Sequence, residues 1–120
     1  TWDGALTVEA TTLDALVARF GAPAFLKIDV EGFEDRVLAG LTHPLPALSF
    51  EFTTIARAVA LRCIARLSAL GDYRFNLAIG ESQKRNEAEP VGAASMVALL
   101  STLPHEVNSG DVYATLTSEK

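Results

Sequence analysis

The chain has 120 residues, of which 49% are hydrophobic and 21% charged, and its formal net charge is −5. This length and composition are typical of a folded domain with a single core and exclude a disordered chain. The acidic balance excludes non-specific binding to nucleic acid through a basic face, and no apolar run reaches the roughly 20 residues of a membrane span. The single cysteine, Cys63, cannot form an internal disulfide, which favours a cytoplasmic location.

Strand and helix patterns alternate along the chain, which is typical of an α/β fold with a largely parallel sheet. The first helix is predicted to begin at a cap formed by Thr11 or Thr12 and to end at Gly21. The apolar run at residues 24–30 predicts a continuous strand that is covered on both faces.

A turn at Gly32 leads into a second predicted helix, which ends at Gly40. Its first turn contains Glu34 and Asp35. Acidic residues are favoured there by the helix dipole, so a structural role is expected for both.

A strand at residues 47–52, a long helix at 54–70 and a strand at 73–79 are predicted next. A polar loop at 81–94, a short helix at 95–103 and a last strand at 111–117 follow. The long helix is predicted to turn Ile55 toward the core and Arg57, Arg62 and Arg66 toward solvent. Ser95 is expected to cap the short helix.

Carboxylates lie at the ends of two of these strands. Asp29 ends one strand, Glu31 follows two residues later, and Glu51 has the matching place in the next strand. In open α/β sheets, ligands bind beyond the carboxyl ends of the strands, so these side chains are candidates for a site. Lys27 has the same parity as Asp29, which predicts an ion pair of Lys27 with Asp29 or Glu51. A purely structural buried ion pair remains the alternative interpretation.

Other chemistry is sparse in the sequence. His43 and His105 adjoin prolines and are not spaced as metal ligands, so both are expected to be solvated loop residues, and Cys63 is expected in the core. No G-x-G pair is present, which excludes a dinucleotide or phosphate loop within these residues. A metal joining Asp29 and Glu31 would have no histidine ligand, and no metal site is predicted.

The segment at residues 11–41 resembles the FkbM-type family of S-adenosylmethionine-dependent methyltransferases. Members of that family have a T-L-D-x-L helix, a strand ending K-I-D-V-E-G, and a helix with E-x-x-V-L-x-G. The corresponding residues of this chain are 12–16, 27–32 and 34–40. The next strand, residues 47–52, also looks like its counterpart in the family, which tends to end in glutamate.

The resemblance implies a class I, Rossmann-like methyltransferase sheet, mostly parallel with an antiparallel last strand. On that map residues 1–120 are a single partial domain that supplies strands four to seven, and the cofactor-binding first half is absent. The strand that contains Lys27 and Asp29 would then have an exposed edge. Exposed edges associate with other strands, so we expect self-association through that edge or a longer parent protein.

For function, the resemblance implies S-adenosylmethionine-dependent O-methylation of a small-molecule or sugar hydroxyl. Asp29 or Glu31 is the expected acceptor-side base, Lys27 is expected to hold that carboxylate, and Glu51 is expected to bind the acceptor. S-adenosylmethionine would bind in the complete domain, its binding residues are not identified, and the 120 residues alone are expected to be inactive.

Two other classes compete with this interpretation. The chain could be a non-enzymatic interaction module derived from half of a methyltransferase. The D-x-E pattern of Asp29 and Glu31 also occurs in two-metal exonucleases, but here Gly32 and a helix follow it directly. The late H-x4-D motif of those nucleases is also unmatched, since five residues separate His105 from Asp111.

Overall fold

The computed structural model describes residues 12–30, 32–79, 84–85 and 89–118. The helices are α1 (Leu13–Phe20), α2 (Glu34–Ala39), α3 (Arg57–Leu70) and α4 (Ala93–Thr102), with 3₁₀ turns at Thr54–Ala56 and His105–Val107. The strands are β1 (Leu26–Ile28), β2 (Ala47–Thr53), β3 (Asp72–Ile79), β4 (Lys84–Arg85) and β5 (Ser109–Ser118). Within this described part of the chain, no helix is both long enough and apolar enough to cross a bilayer.

The strands form one mixed sheet in the order β1-β2-β5-β3-β4. β1 is parallel to β2, and β5 lies antiparallel between β2 and β3, as the resemblance implied for the last strand. Strands β1, β2 and β3 run in the same direction, and β5 runs in the opposite direction. Because β5 separates β2 from β3, only β1 and β2 form a parallel pair among the described strands.

The core lies between the sheet and helices α2, α3 and α4. Three consecutive residues of β2, Leu48, Ser49 and Phe50, are buried, so the centre of this strand is covered on both faces. Cys63 lies on the buried side of α3, which confirms its predicted place in the core. Because a buried core is close-packed, the strand ends next to it are held rigidly and can position the side chains that follow them.

β1 differs from its prediction. It has three residues instead of a run over 24–30, and exposure alternates along it, since Lys27 is exposed and Ile28 buried. Among the described strands β1 pairs only with β2, so it is an edge strand. Successive side chains of a strand point to opposite faces, so the exposed Lys27 shows that one face of β1 is open to solvent, and the prediction of full coverage is wrong.

The helix ends follow local chemistry where that chemistry is unambiguous. The Thr12 hydroxyl accepts a hydrogen bond from the backbone N–H of Ala15 at 3.1 Å, which confirms one of the two predicted caps. Gly21 ends α1 with a φ of +88°, a conformation that favours glycine. The prediction for Ser95 is wrong: α4 begins two residues earlier and Gly92 precedes it, so Ser95 lies in its first turn.

The start of α3 also differs from the prediction. Ile55 is 89% exposed, because it lies in a 3₁₀ turn before the helix instead of on its apolar face. Arg57 does not simply face solvent: its guanidinium donates hydrogen bonds to the carbonyl oxygens of Leu100 and Leu103 at the end of α4. Arg66 likewise donates to a backbone carbonyl after α2, at 2.6 Å.

Candidate functional site

The carboxyl ends of β1 and β2 bring two predicted site residues together. The parallel register pairs Ile28 with Phe50, so Asp29, the next residue, lies beside Glu51. Asp29 is exposed and Glu51 half-buried. Their convergence at one edge of the sheet, which the strand-end argument predicted, is confirmed.

A third carboxylate, Glu34, completes this group. One carboxylate oxygen from each of Asp29, Glu34 and Glu51 lies within 4.8 Å of the other two. We call these three residues the carboxylate cluster. Like charges at this separation repel, so the arrangement must be maintained by the surrounding fold.

Glu34 is held in the cluster by the turn that precedes α2. Its side chain is only 2% exposed, and its Oε1 atom accepts a hydrogen bond from the backbone N–H of Gly32 at 3.0 Å. Gly32 has a φ of +98°, which a residue with a side chain rarely adopts. Among the described residues, Glu34 Oε2 has no hydrogen-bond partner although it is buried.

The neighbouring acid, Asp35, has a different environment. Its carboxylate accepts a hydrogen bond from Arg62 Nε at 2.6 Å, and the two residues form an ion pair. Burial raises the pKa of Asp35, but the hydrogen bond and charge of Arg62 outweigh that effect and the net pKa is lowered. Asp35 is therefore a structural carboxylate paired with Arg62, whereas Glu34, the residue before it, belongs to the carboxylate cluster.

The other predicted site residues have mixed outcomes. Lys27 is exposed and, among the described residues, forms no ion pair with Asp29 or Glu51, so the predicted pair is absent. Its place on an edge strand explains this, because the ammonium group reaches solvent directly. Glu31 lies outside the described residues.

Sequence reasoning missed Glu34. The pattern assigned it to the helix dipole together with Asp35, because both residues occupy the first turn of α2. The available signal was the Gly-x-Glu spacing, since a glycine turn allows a glutamate two residues later to bond back to the glycine N–H. Whether such a side chain is buried depends on the packing of α2, which no local pattern gives.

The T-L-D helix and the later glycine of the family pattern meet at a junction on α1. The Asp14 carboxylate accepts hydrogen bonds from the N–H and the hydroxyl of Thr42, and the hydroxyl bond is the main reason why the pKa of Asp14 is lowered. The N–H of Asp14 donates to the carbonyl of Gly40 at 3.0 Å. A Cβ at Gly40 would lie 3.0 Å from Thr12 Cβ, so a glycine permits this close approach. These residues fix α1 against the end of α2.

An apolar groove of about 500 Å³ lies between α1 and β1. Leu16, Phe20, Phe25 and Lys27 contribute to its lining. Phe20 is 63% and Phe25 48% exposed, so large apolar side chains here are accessible to a partner. The lining of the groove includes Leu26 and Lys27, so the groove borders β1.

Cys63, His43 and His105 do not belong to the carboxylate cluster. Burial raises the pKa of the Cys63 thiol, which keeps it protonated and unreactive. His43 and His105 are both exposed, as predicted, but His105 begins a 3₁₀ turn and only His43 lies in a loop.

An α/β sheet with an antiparallel last strand, and with acidic side chains at the ends of adjacent parallel strands, is consistent with a methyltransferase-like fold. The family model described as the methyltransferase FkbM domain matches residues 1–109. The chain therefore belongs to the FkbM methyltransferase family. No curated protein matches the sequence significantly.

Proposed function

We propose that this chain forms the acceptor side of an S-adenosylmethionine-dependent O-methyltransferase that acts on a small-molecule or sugar hydroxyl. The observation that carries the proposal is the convergence of Asp29 and Glu51 at the strand ends in a member of a methyltransferase family. In this assignment the chain is the C-terminal half of a Rossmann-like domain, with β1, β2, β3 and β5 as strands four, five, six and seven.

The described residues fit the acceptor end of this reaction and not the nucleotide end. Carboxylates can accept a proton from a hydroxyl and are favourable neighbours of a sulfonium cation. The sequence has no G-x-G loop for the nucleotide, so nucleotide recognition is assigned to residues outside this chain. When bound, S-adenosylmethionine supplies an electrophilic methyl group.

Asp29 is the proposed general base. It is exposed at the end of β1, where an acceptor can approach it, and its neighbour Glu51 is half-buried in β2. The Asp29 carboxylate would accept the proton of the acceptor hydroxyl, and the bound cofactor would supply the methyl group that the acceptor oxygen takes up. Glu51 orients the acceptor by accepting a second hydrogen bond, and Glu31 is the alternative base.

The first experiment separates cofactor binding from catalysis. Calorimetric titration of S-adenosylmethionine into the 120-residue chain is expected to show no binding, and titration into a version extended at its N-terminus by the complementary half is expected to show binding. In the extended protein, Asp29→Asn is expected to reduce methyl transfer by about 10²–10⁴-fold, the usual contribution of a general base. Full activity of Asp29→Asn together with loss in Glu31→Gln would transfer the role to Glu31.

A matched control is available on the far side of the sheet. Asp72 forms an ion pair with Arg74, with 3.1 Å between Oδ1 and Nη1. It is the first residue of β3, so it lies at the opposite edge of the sheet from the carboxylate cluster. Asp72→Asn removes a carboxylate without touching the cluster, so it is expected to leave methyl transfer unchanged. A general loss of activity in both variants would argue against a specific role of Asp29.

The alternative function is a non-enzymatic interaction module. The observation in its favour is the apolar groove next to the free side of β1 in the described sheet. Exposed strand edges recruit further strands, so this surface is proposed to associate with a second copy or a partner half. Absence of S-adenosylmethionine binding in both the short and the extended chain, combined with self-association in sedimentation, would favour this function.

A further inference from the structure

We infer that the carboxylate cluster of Asp29, Glu34 and Glu51 binds a hard divalent cation. This inference does not depend on methyl transfer, since it concerns a property of the described residues alone. The three carboxylates belong to three different elements, namely the end of β1, the start of α2 and the end of β2. They converge although each carries the same charge.

The second observation is the state of Glu34. Its side chain is 2% exposed and its Oε2 atom has no hydrogen-bond partner among the described residues. Burial of an ionised carboxylate is unfavourable unless the group is paired, hydrogen-bonded or bound to a metal. Neither of the two ion pairs in the described part of the chain includes Glu34, and a cation bound by the cluster would offset its buried charge.

The geometry fits an oxygen-ligated cation. The ligand oxygens lie within 4.8 Å of one another. Opposite ligands of Ca²⁺ are about 4.6–5.2 Å apart and those of Mg²⁺ about 4.0–4.2 Å, as their bond lengths require. The three oxygens are therefore near enough to close around one ion, and Ca²⁺, whose coordination is flexible, is accommodated more readily than Mg²⁺, which requires near-ideal octahedral geometry.

The donor set also selects the class of metal. All three ligands are carboxylates, which suit Ca²⁺, Mg²⁺ and Mn²⁺, and no histidine or cysteine of the described residues joins them. Cys63 is buried within α3 and the two histidines are exposed. Soft or borderline metals such as Zn²⁺ are thus not the ions that we expect at this site.

The test is direct cation binding by the 120-residue chain after treatment with a chelator. Ca²⁺, Mg²⁺ and Mn²⁺ are titrated separately by calorimetry, and Mn²⁺ binding is also followed by electron paramagnetic resonance. We expect one bound ion per chain, with Ca²⁺ or Mn²⁺ bound more tightly than Mg²⁺, and an increase of the melting temperature on binding. None of these measurements requires an acceptor or S-adenosylmethionine.

Two variants and one control connect the binding to the cluster. Glu34→Gln keeps the shape of the side chain and the acceptor for the Gly32 N–H, so it preserves the turn, and it is expected to raise the Kd at least ten-fold. Asp29→Asn changes an exposed residue and is expected to have the same effect, whereas Asp72→Asn should not alter the Kd. Absence of binding by all three cations at millimolar concentration, or an unchanged Kd in both cluster variants, would overturn the inference.

Discussion

Replacement of Glu34 by glutamine is expected to stabilise the metal-free protein. The side chain is buried, lies within 4.8 Å of the carboxylate oxygens of Asp29 and Glu51, and has one oxygen without a partner in the described chain. Glutamine has nearly the same shape, keeps an oxygen for the N–H of Gly32, and adds an amide that can donate to the other two carboxylates. The substitution therefore replaces repulsion by hydrogen bonding.

The magnitude follows from the separation of the charges. At 4.8 Å, the upper limit of the separation of these carboxylate oxygens, two unit charges repel by about 3.5 kcal/mol at an effective dielectric of about 20, and by about 0.9 kcal/mol in bulk water. Asp29 is exposed and Glu51 half-buried, so solvent screening places the sum of the two interactions nearer to about 2–3 kcal/mol. The hydrogen bond from the Gly32 N–H is weaker to a neutral amide oxygen than to a carboxylate, and this loss offsets about 1 kcal/mol of the relieved repulsion. A net gain of about 1–2 kcal/mol remains.

Chemical denaturation at pH 7 in the presence of a chelator measures this gain. For a chain of this size, about 1–2 kcal/mol corresponds to an increase of roughly 3–12 °C in the melting temperature. The Asp72→Asn protein is the control, because its carboxylate is distant from the cluster and part of an ion pair of its own. A Glu34→Gln protein that is less stable than the wild type under these conditions would show that the buried carboxylate is compensated by contacts other than a cation.

Three further predictions concern the scaffold. Tyr73→Phe should lower the free energy of unfolding by about 1–3 kcal/mol in urea titration, because the hydroxyl donates to the carbonyl and accepts from the N–H of Leu45, both of which would lose a buried partner; an unchanged midpoint would contradict this. Arg62→Gln should cost about 0.2–1 kcal/mol at pH 7. Because Arg62 lowers the folded-state pKa of Asp35 below its ordinary value of 3.8, that stabilisation is present above about pH 4 and is lost as pH falls through the lowered value, so the variant and the wild type should converge in acid. Gly110→Ala should lower the free energy of unfolding by about 1–3 kcal/mol, because the added Cβ would lie 2.6 Å from a carbonyl oxygen of β3. A variant with the melting temperature of the wild type would refute this close approach.

Local patterns were sufficient for much of the fold. The cap at Thr12, the stop at Gly21 and the burial of Cys63 in α3 depend on neighbouring residues in the chain, and all three were predicted. The meeting of Asp29 and Glu51 was also predictable, because adjacent parallel strands end at the same edge of a sheet.

The features that were not predicted depend on the neighbours that each element acquires in the fold. Lys27 was expected in a covered strand, but β1 is an edge strand in the described sheet and its lysine reaches solvent. Arg57 was expected in solvent, but the end of α4 offers it two carbonyl groups that remain unpaired at any helix C-terminus. Neither the pairing partner of a strand nor the position of a distant helix end is encoded in a local pattern.

The residues of the family pattern contact one another in the fold, and these contacts position the site. Asp14 and Gly40 lie at the junction where α1 contacts the end of α2, and the hydrogen bond between them fixes that end of the short helix. The other end of α2 begins with Glu34, which the turn at Gly32 holds inside the carboxylate cluster. Because α2 has only six residues, the junction on α1 and the buried Glu34 lie at the two ends of one short helix, about 9 Å long. The pattern is thus best understood as one unit, in which the helical residues position an acid that the strand-end residues Asp29 and Glu51 meet.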